Sequence, residues 1–409
     1  MTQALKVIDN ITRQVARNFK NNLVFTKNCD TQFDDTFAKT GAKQGSSLRV
    51  RLPNRFTVNK TPTYSATDII DPSTTITMAN FWHVDYLFSD QELLLSADDI
   101  NDRYAKPAAQ QLAAYIDAEG MKVGYQAVAN TYGTPGTTPN SRTHIIQPNA
   151  ILTDYAAPGD GRTLIVDSTA NASLVDNLAG LFNPVSDISA QYKKGQFGSG
   201  VLGFENVAYS QSVSSHTAGL QGGTPLVDGA SQTTTDWALS QTLNTKGWSN
   251  SITGVLKTGD TFTIAGVYAV NPLTGATLKR LQSFVVKADA NSGGSGLAAL
   301  TISPAIIVSG PYKSVSAAPA DGAAITVTSG TTGLVSTQNM AMHKDAFAFV
   351  MGELPLPTMN AVAARAKLDN FSFRTTWAWD IVSNAWKMRI DCAFGFAAIR
   401  PEWAVRLQG

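Results

Sequence analysis

Between Lys257 and Val286 the chain reads KTGDTFTIAGVYAVNPLTGATLKRLQSFVV, with apolar and polar positions in alternation. Phe262, Ile264, Tyr268 and Val270 share one parity, and Thr261, Thr263, Ala265 and Ala269 share the other. A period of two marks strands with one buried face. Gly259-Asp260 and the Asn271-Pro272…Gly275 cluster supply turns at the two ends of the first strand. Further strands are expected at Ser283–Val286, Ala305–Val308 and Ala324–Thr328, in a stretch rich in Gly, Ser and Thr. The pattern predicts a small all-β unit.

The flanks follow other periods. Leu5, Ile8, Ile11, Val15 and Phe19 stand three and four residues apart, which predicts an amphipathic helix that must lie on something to be stable. Leu48, Val50 and Leu52 alternate with Arg49 and Arg51, and a return leg runs through Ile76, Met78, Val84 and Tyr86. This predicts a long two-stranded ribbon with a polar tip around Thr61–Ser73, resting on another domain or subunit. Ser89–Glu92 and Ser96–Asp99 read as capping boxes, and Pro107 opens a long helix to about Ala129. Leu112, Ile116, Val123 and Ala127 line its buried face, and Gly120 and Gly124 imply close approach of a neighbour. A strand at Thr163–Asp167 and a following helix come next, then a second helical stretch at Ser186–Lys194. Met340–Val350 has weak helical character, and Phe371–Val405 reads as long strands.

Composition narrows the function classes. The formal net charge of +1 gives no bulk attraction to nucleic acid or anionic membrane. Charged residues are 15% of the chain, against roughly 25% in ordinary soluble proteins. Such a surface suits a protein mostly covered by neighbours, and it equally suits a Ser/Thr-rich extracellular β protein. Cys29 and Cys392 are the only cysteines; they make no disulfide framework and point to a reducing compartment. The N-terminus has no apolar signal-peptide core, and no apolar run approaches the ~20 residues of a membrane span.

Candidate chemistry is sparse. Gly198–Gly203 spells GxGxxG, but a helix-like stretch precedes it and a strand-like one follows, the reverse of the dinucleotide-binding order. His83, His144, His216 and His343 show no metal-ligand spacing, and no GxSxG elbow accompanies Ser215-His216 or His343-Lys344-Asp345. No catalytic, cofactor or metal residue is assigned. Arg49, Arg51, Arg55 and Lys60 form one basic face of the ribbon, opposite in sign to Asp98, Asp99 and Asp102 at the helix start. Besides a solvated ribbon, this permits pairing of the ribbon with the acidic helix start of a neighbouring subunit.

Four stretches carry a family resemblance: NNLVFTKNCDTQFDDTFAKTGAKQGSSLRVRLPNRF, LFNPVSDISAQYKKGQFGSGVLGFENVAYSQSVSSHTAG, KTGDTFTIAGVYAVNP and NMAMHKDAFAFVMGELPLP. With the order arm, ribbon, long helix, α/β segment, β insert and terminal strands, the chain resembles the major capsid proteins of tailed bacteriophages. It looks most like the P-22 type of the Hong Kong 97 fold, which carries an insertion domain. The resemblance implies an α+β capsid fold with an inserted all-β, barrel-like domain. It divides the chain into an N-terminal arm (1–42), an E-loop (43–86) and a P-domain with its spine helix (87–145). The A-domain (146–222 and 339–370) is interrupted by the insertion domain (223–338), and terminal strands follow (371–409).

The resemblance implies self-assembly into pentamers and hexamers of an icosahedral head enclosing double-stranded DNA without sequence-specific contacts. A scaffolding protein and a portal protein are the implied partners, with assembly in the bacterial cytoplasm and no cofactor, membrane or enzymatic role. A chain beginning directly at the arm fits scaffolding supplied as a separate protein. The competing reading is a β-rich tail or adhesin-type binding protein, which leaves the arm, ribbon and long helix unexplained.

Overall fold

The structure, a computed structural model, describes residues 12–20, 22–32, 47–58, 62, 69–88, 101–178, 199–357, 362–368, 371–382 and 385–409. Residues 5–11 of the expected N-terminal helix, most of the ribbon tip, both capping boxes and the Ser186–Lys194 helix lie outside them. Residues 12–20 are helical, as the spacing predicts.

In chain order, β1 (Ser47–Arg51) pairs with β2 (Ser73–Thr77), and β3 (Asn80–Phe88) follows. A π-helical turn at Asn101–Ala105 leads into α1 (Lys106–Ala127), with Pro107 in its first turn. Then come β4 (Thr131–Gly133), α2 (Thr143–Asp154), β5 (Arg162–Val166), α3 (Ser168–Leu178), β6 (Ser199–Val201), β7 (Phe204–Tyr209) and β8 (Ser215–Thr217). The insert contributes β9 (Gly223–Val227), β10 (Gln241–Trp248), β11 (Thr261–Val270), β12 (Thr277–Val286), β13 (Ala298–Ser303) and β14 (Ile325–Val327). The chain ends with β15 (Val335–His343), β16 (Phe347–Gly352), β17 (Val362–Leu368), β18 (Phe371–Asp380), β19 (Ala385–Ala398) and β20 (Ala404–Gln408).

Two compact units result. The first comprises Met1–Arg49, Thr75–Gly120 and Phe347–Ala397. Its five-stranded sheet runs β16-β19-β18-β17, with β3 also pairing β19. The ribbon's return leg is therefore divided: β2 stays with β1, while Val84 and Tyr86 belong to β3 and this sheet. The core is built of phenylalanine rings. Phe19 meets Phe371 and Phe373 edge-on at centroid distances of 5.5 and 4.6 Å, and Phe25 packs near Phe347 and Phe396. Asp117 on α1 accepts hydrogen bonds from the Val24, Phe25 and Thr26 amides at 2.6, 3.1 and 3.0 Å and from Thr26 Oγ1 at 2.6 Å. One carboxylate thus fixes the arm. A β-carbon at Gly120 would lie 2.7 Å from Phe25 and 2.8 Å from Phe396, which accounts for a glycine inside α1.

The second unit comprises Val50–Thr74, Met121–Ala346 and Ala398–Gly409. Its seven-stranded mixed sheet runs β4-β20-β15-β5-β7-β6, with β8 pairing β15. Leu152 of α2 and Leu174 of α3 pack with Leu164, Phe204, Ala341, Val405 and Leu407 in its core. Helix α2 has Pro148 inside it and is not among the elements the residue spacing predicts. Met340–Val350 is not helical. It forms β15 and β16 around one 3-10 turn; residues 338–343 and all of β16 are buried, so neither segment shows the alternation of a strand with one exposed face.

The insert is a six-stranded antiparallel sheet in the order β14-β11-β12-β13-β10-β9. Its edges meet at the Leu226–Ala324 bridge, where the Val227 amide donates to the Ala323 carbonyl at 3.0 Å, so the sheet is nearly a closed barrel. Entry and exit lie side by side: Thr217 of β8 pairs with Val335 of β15, and the Ala218 amide donates to the Leu334 carbonyl at 2.9 Å. A chain that leaves and re-enters at one point is what an inserted domain requires.

Two strand expectations change. In β11, Phe262 and Ile264 point into the core, and past Gly266 (φ +80°) Val267, Ala269 and Val270 are buried while Tyr268 is exposed. The register shifts between Thr263 and Tyr268 and again between Tyr268 and Val270, so Tyr268 faces outward while Val270 is buried. Ala305–Val308 is not a strand, although residues 305–307 are buried and Val308 is half-buried. Ser314 takes its backbone groups instead, donating to the Ala305 carbonyl at 2.6 Å and accepting from the Ile307 amide at 3.0 Å.

Candidate functional site

The most concentrated polar chemistry lies where the barrel meets the last strand, inside the second unit. Asp260, read from the sequence as a turn residue, is fully buried. Its Oδ1 accepts from His216 Nε2 at 2.8 Å and from Ser329 Oγ at 2.7 Å. Its Oδ2 accepts from the Gly219 amide at 2.9 Å and the Lys257 amide at 2.7 Å. Burial pushes this carboxyl up, but the hydrogen bonds from His216, the Lys257 amide and Ser329, with the charge of His216, outweigh it and leave the carboxyl below its ordinary value.

Arg406 on β20 is the matching cation and is also fully buried. Its Nη1 donates to the Tyr125 carbonyl at 2.9 Å and the Gly259 carbonyl at 2.7 Å, and its Nη2 donates to Thr261 Oγ1 at 3.1 Å. Burial lowers its pKa to about 10 while Asp260 holds it up, so the guanidinium stays charged at neutral pH. The end of α1, the start of β11 and the final strand are therefore tied by one side chain.

A Ser, a His and an Asp in one cluster invite comparison with a catalytic triad. Here Ser329 and His216 both lean on the same carboxylate oxygen, and both are buried. A triad instead needs the histidine against an accessible hydroxyl. The neighbouring Ser215 points to the exposed face of β8. The other histidines are scattered: His83 near Asp85 at 3.5 Å, His144 on Ser141 Oγ at 2.7 Å, and His343 accepting from the Asp345 amide at 3.2 Å. Residues 199–203 of the GxGxxG stretch lie in the β6–β7 hairpin, which turns at Leu202 (φ 53°) and Gly203 (φ 87°). Among the described residues, no group of three His, Cys, Asp or Glu could hold a metal ion.

Arg49 and Arg51 lie exposed on β1. Arg55 is engaged within the chain, its Nη2 donating to Glu402 at 3.1 Å. Lys60, Asp98 and Asp99 lie outside the described residues, as does the side chain of Asp102. Cys29 and Cys392 are both free and buried. Exposed apolar side chains gather at Phe56, Val58 and Ile69 beside the ribbon and at Ile381 and Val382 after β18.

The P22 coat protein family (gene protein 5) matches residues 1–409, the whole chain. The chain belongs to that family. This coat protein is accordingly a structural major capsid protein of a tailed bacteriophage; its place is the virion capsid, and its copies associate into the shell. No curated protein matches the chain. Similar solved structures include one titled Mycobacterium phage Che8, 12% identical with a TM-score of 0.46, covering 94% of this chain and 90% of that one. The capsid of cyanophage P-SCSP1u is 11% identical with a TM-score of 0.40, covering 89% and 83%. The virus-like particle from Pyrococcus furiosus is 7% identical with a TM-score of 0.39, covering 98% of each. With TM-scores this low, these likenesses add nothing to the family match.

Proposed function

We propose that copies of this coat protein form the pentamers and hexamers of an icosahedral head enclosing the double-stranded DNA of a short-tailed phage. Assembly takes place in the bacterial cytoplasm around a separate scaffolding protein, with a portal at one vertex. The chain works by binding itself and catalyses nothing. At residue level, the reading is that Arg49 and Arg51 of one copy face Asp98, Asp99 and Asp102 of the next. The observation that carries it is the exposure of Arg51 on β1. The net charge of +1 supports packaging of DNA by confinement, without base-reading contacts.

Electron microscopy of the chain, purified alone and co-expressed with a scaffolding protein, tests this. Closed shells of uniform size in the second sample are expected. Discrete oligomers or fibres in both samples would exclude the reading.

A further inference from the structure

Within the second unit, the turn at residues 399–403, the loop at 303–314 and residues 52–55 enclose a cleft of about 310 Å³. That volume lies in the range of small-molecule sites. Its walls include Trp237, Trp403, Tyr155 and Tyr312. The polar atoms of these walls are mostly satisfied inside the chain. Tyr155 Oη donates to Gln282 Oε1 at 2.9 Å, Tyr312 Oη to the Ile70 carbonyl at 3.2 Å, and Trp403 Nε1 to the Tyr155 carbonyl at 3.2 Å. Glu402, the one carboxylate on the wall among the described residues, holds Arg55 at 3.1 Å.

Two cations remain. The Arg400 guanidinium sits over the Trp403 ring, 4.1 Å from its centroid, and Lys313 follows Tyr312. Neither has a carboxylate partner among the described residues. An apolar, aromatic cavity whose two unpaired side-chain charges are both positive favours a ligand with an apolar body and an anionic head. We propose that this cleft binds an apolar carboxylate, its aliphatic or aromatic body against the tryptophan and tyrosine rings and its single carboxylate on Arg400, with Lys313 as the second cation. A neutral head group forgoes the charge-assisted hydrogen bond, and a cationic one is repelled. The wall also contains Leu52–Arg55 and Pro72, next to the exposed Phe56 and Val58. A bound ligand therefore braces the base of a ribbon that carries exposed apolar side chains.

The test is calorimetric titration of the purified chain with decanoate and, separately, with nonyltrimethylammonium, which has the same tail and a cationic head. Decanoate should bind saturably and the cation should not. Arg400→Gln should weaken decanoate about tenfold, the loss of one charge-assisted contact. Ala238→Phe, which fills the cleft, should abolish binding. Thermal melts establish that each variant is folded; where Arg400→Gln is not, Lys313→Gln reads the same head-group dependence. Absence of decanoate binding, equal affinity for the two heads, or wild-type affinity in folded Arg400→Gln and Ala238→Phe chains would overturn the proposal.

Discussion

The guanidinium of Arg406 donates to the carbonyl oxygen of Gly259 at 2.7 Å, so the strand that ends the chain holds the turn that begins β11. The same Nη1 reaches the Tyr125 carbonyl at the end of α1. A buried cation carries a desolvation cost of several kcal/mol, which only good geometry and a nearby anion offset. Both are present here, in two carbonyls, a threonine hydroxyl and Asp260. Folding of the barrel and docking of the C-terminal strand are thereby made one event.

Arg406→Met should accordingly be among the most damaging single changes. It leaves two carbonyls without their donor and the Asp260 charge without its cation. Loss of a buried partner of this kind costs about 3–5 kcal/mol. Arg406→Lys restores charge but not the planar fork that reaches Tyr125, Gly259 and Thr261 together, so it should recover only part of the loss. Urea unfolding of the subunit, with midpoints in the order wild type, Lys, Met, is the expected result.

Asp260 makes stability depend on acid. Its folded-state carboxyl lies below its ordinary value, despite burial, because of His216, the Lys257 amide and Ser329. A depressed carboxylate stabilises fully above the unfolded pKa, about 3.9, and that contribution is lost as pH falls through the folded value. Subunit stability should therefore drop below about pH 4. In Asp260→Asn that segment of the pH profile should flatten, at the cost of lower stability at neutral pH. A wild-type acid slope in the variant would remove Asp260 as its source.

Much of this architecture is legible in the alternation of single residues, and the failures have physical causes. Phe262 and Ile264 are read correctly because a strand shows its faces directly; Tyr268 is not, because the register shifts after Thr263, and it shifts again before Val270, which is buried as its parity predicts. Residues 340–350 defeat periodicity because strands buried on both faces have none. Helix α2 is hidden by Pro148. The Asp260–His216–Ser329 cluster joins residues far apart in sequence, and no local signal separates a buried aspartate from one in an exposed turn. Only the unusual placement of Arg406 in an otherwise apolar terminal stretch, AVRLQ, could have pointed there.

Gly120 offers a test in which two local rules disagree. Alanine in place of glycine inside a helix gains up to about 1 kcal/mol. A β-carbon at 2.7 Å from Phe25 and 2.8 Å from Phe396 overpacks the first unit, which costs about 1–3 kcal/mol. Overpacking should win. Gly120→Ala is expected to lower the thermal midpoint of the subunit; a raised midpoint would mean that the rings yield without cost.

Both cysteines should be chemically silent in the native subunit. Burial raises the Cys29 thiol well above its usual range, with Asp117 and Asp30 adding to it. Burial likewise raises Cys392, with Asp391 adding to it. Neither forms a reactive thiolate at neutral pH. Iodoacetamide should leave native protein unmodified by mass spectrometry and should add two groups after denaturation. Fast labelling of either residue under native conditions would show that the first unit opens locally.

The proposed contact between β1 and the acidic helix start of a neighbour predicts compensation, not merely damage. Arg51 is exposed on β1, so its reversal should leave the subunit's own stability within about 0.5 kcal/mol. Arg51→Glu alone, or Asp99→Lys alone, should slow shell formation and raise its salt sensitivity, because like charges then face one another. The double variant Arg51→Glu with Asp99→Lys should recover assembly, since the pair is restored with opposite polarity. Arg55→Gln is the control: it breaks the Glu402 contact inside one chain, so it should shift subunit stability with no rescue by any change at Asp99. Light scattering of assembly across a salt series separates these cases. Wild-type assembly in both single reversals, or a double variant no better than its parents, would place the inter-subunit contact elsewhere.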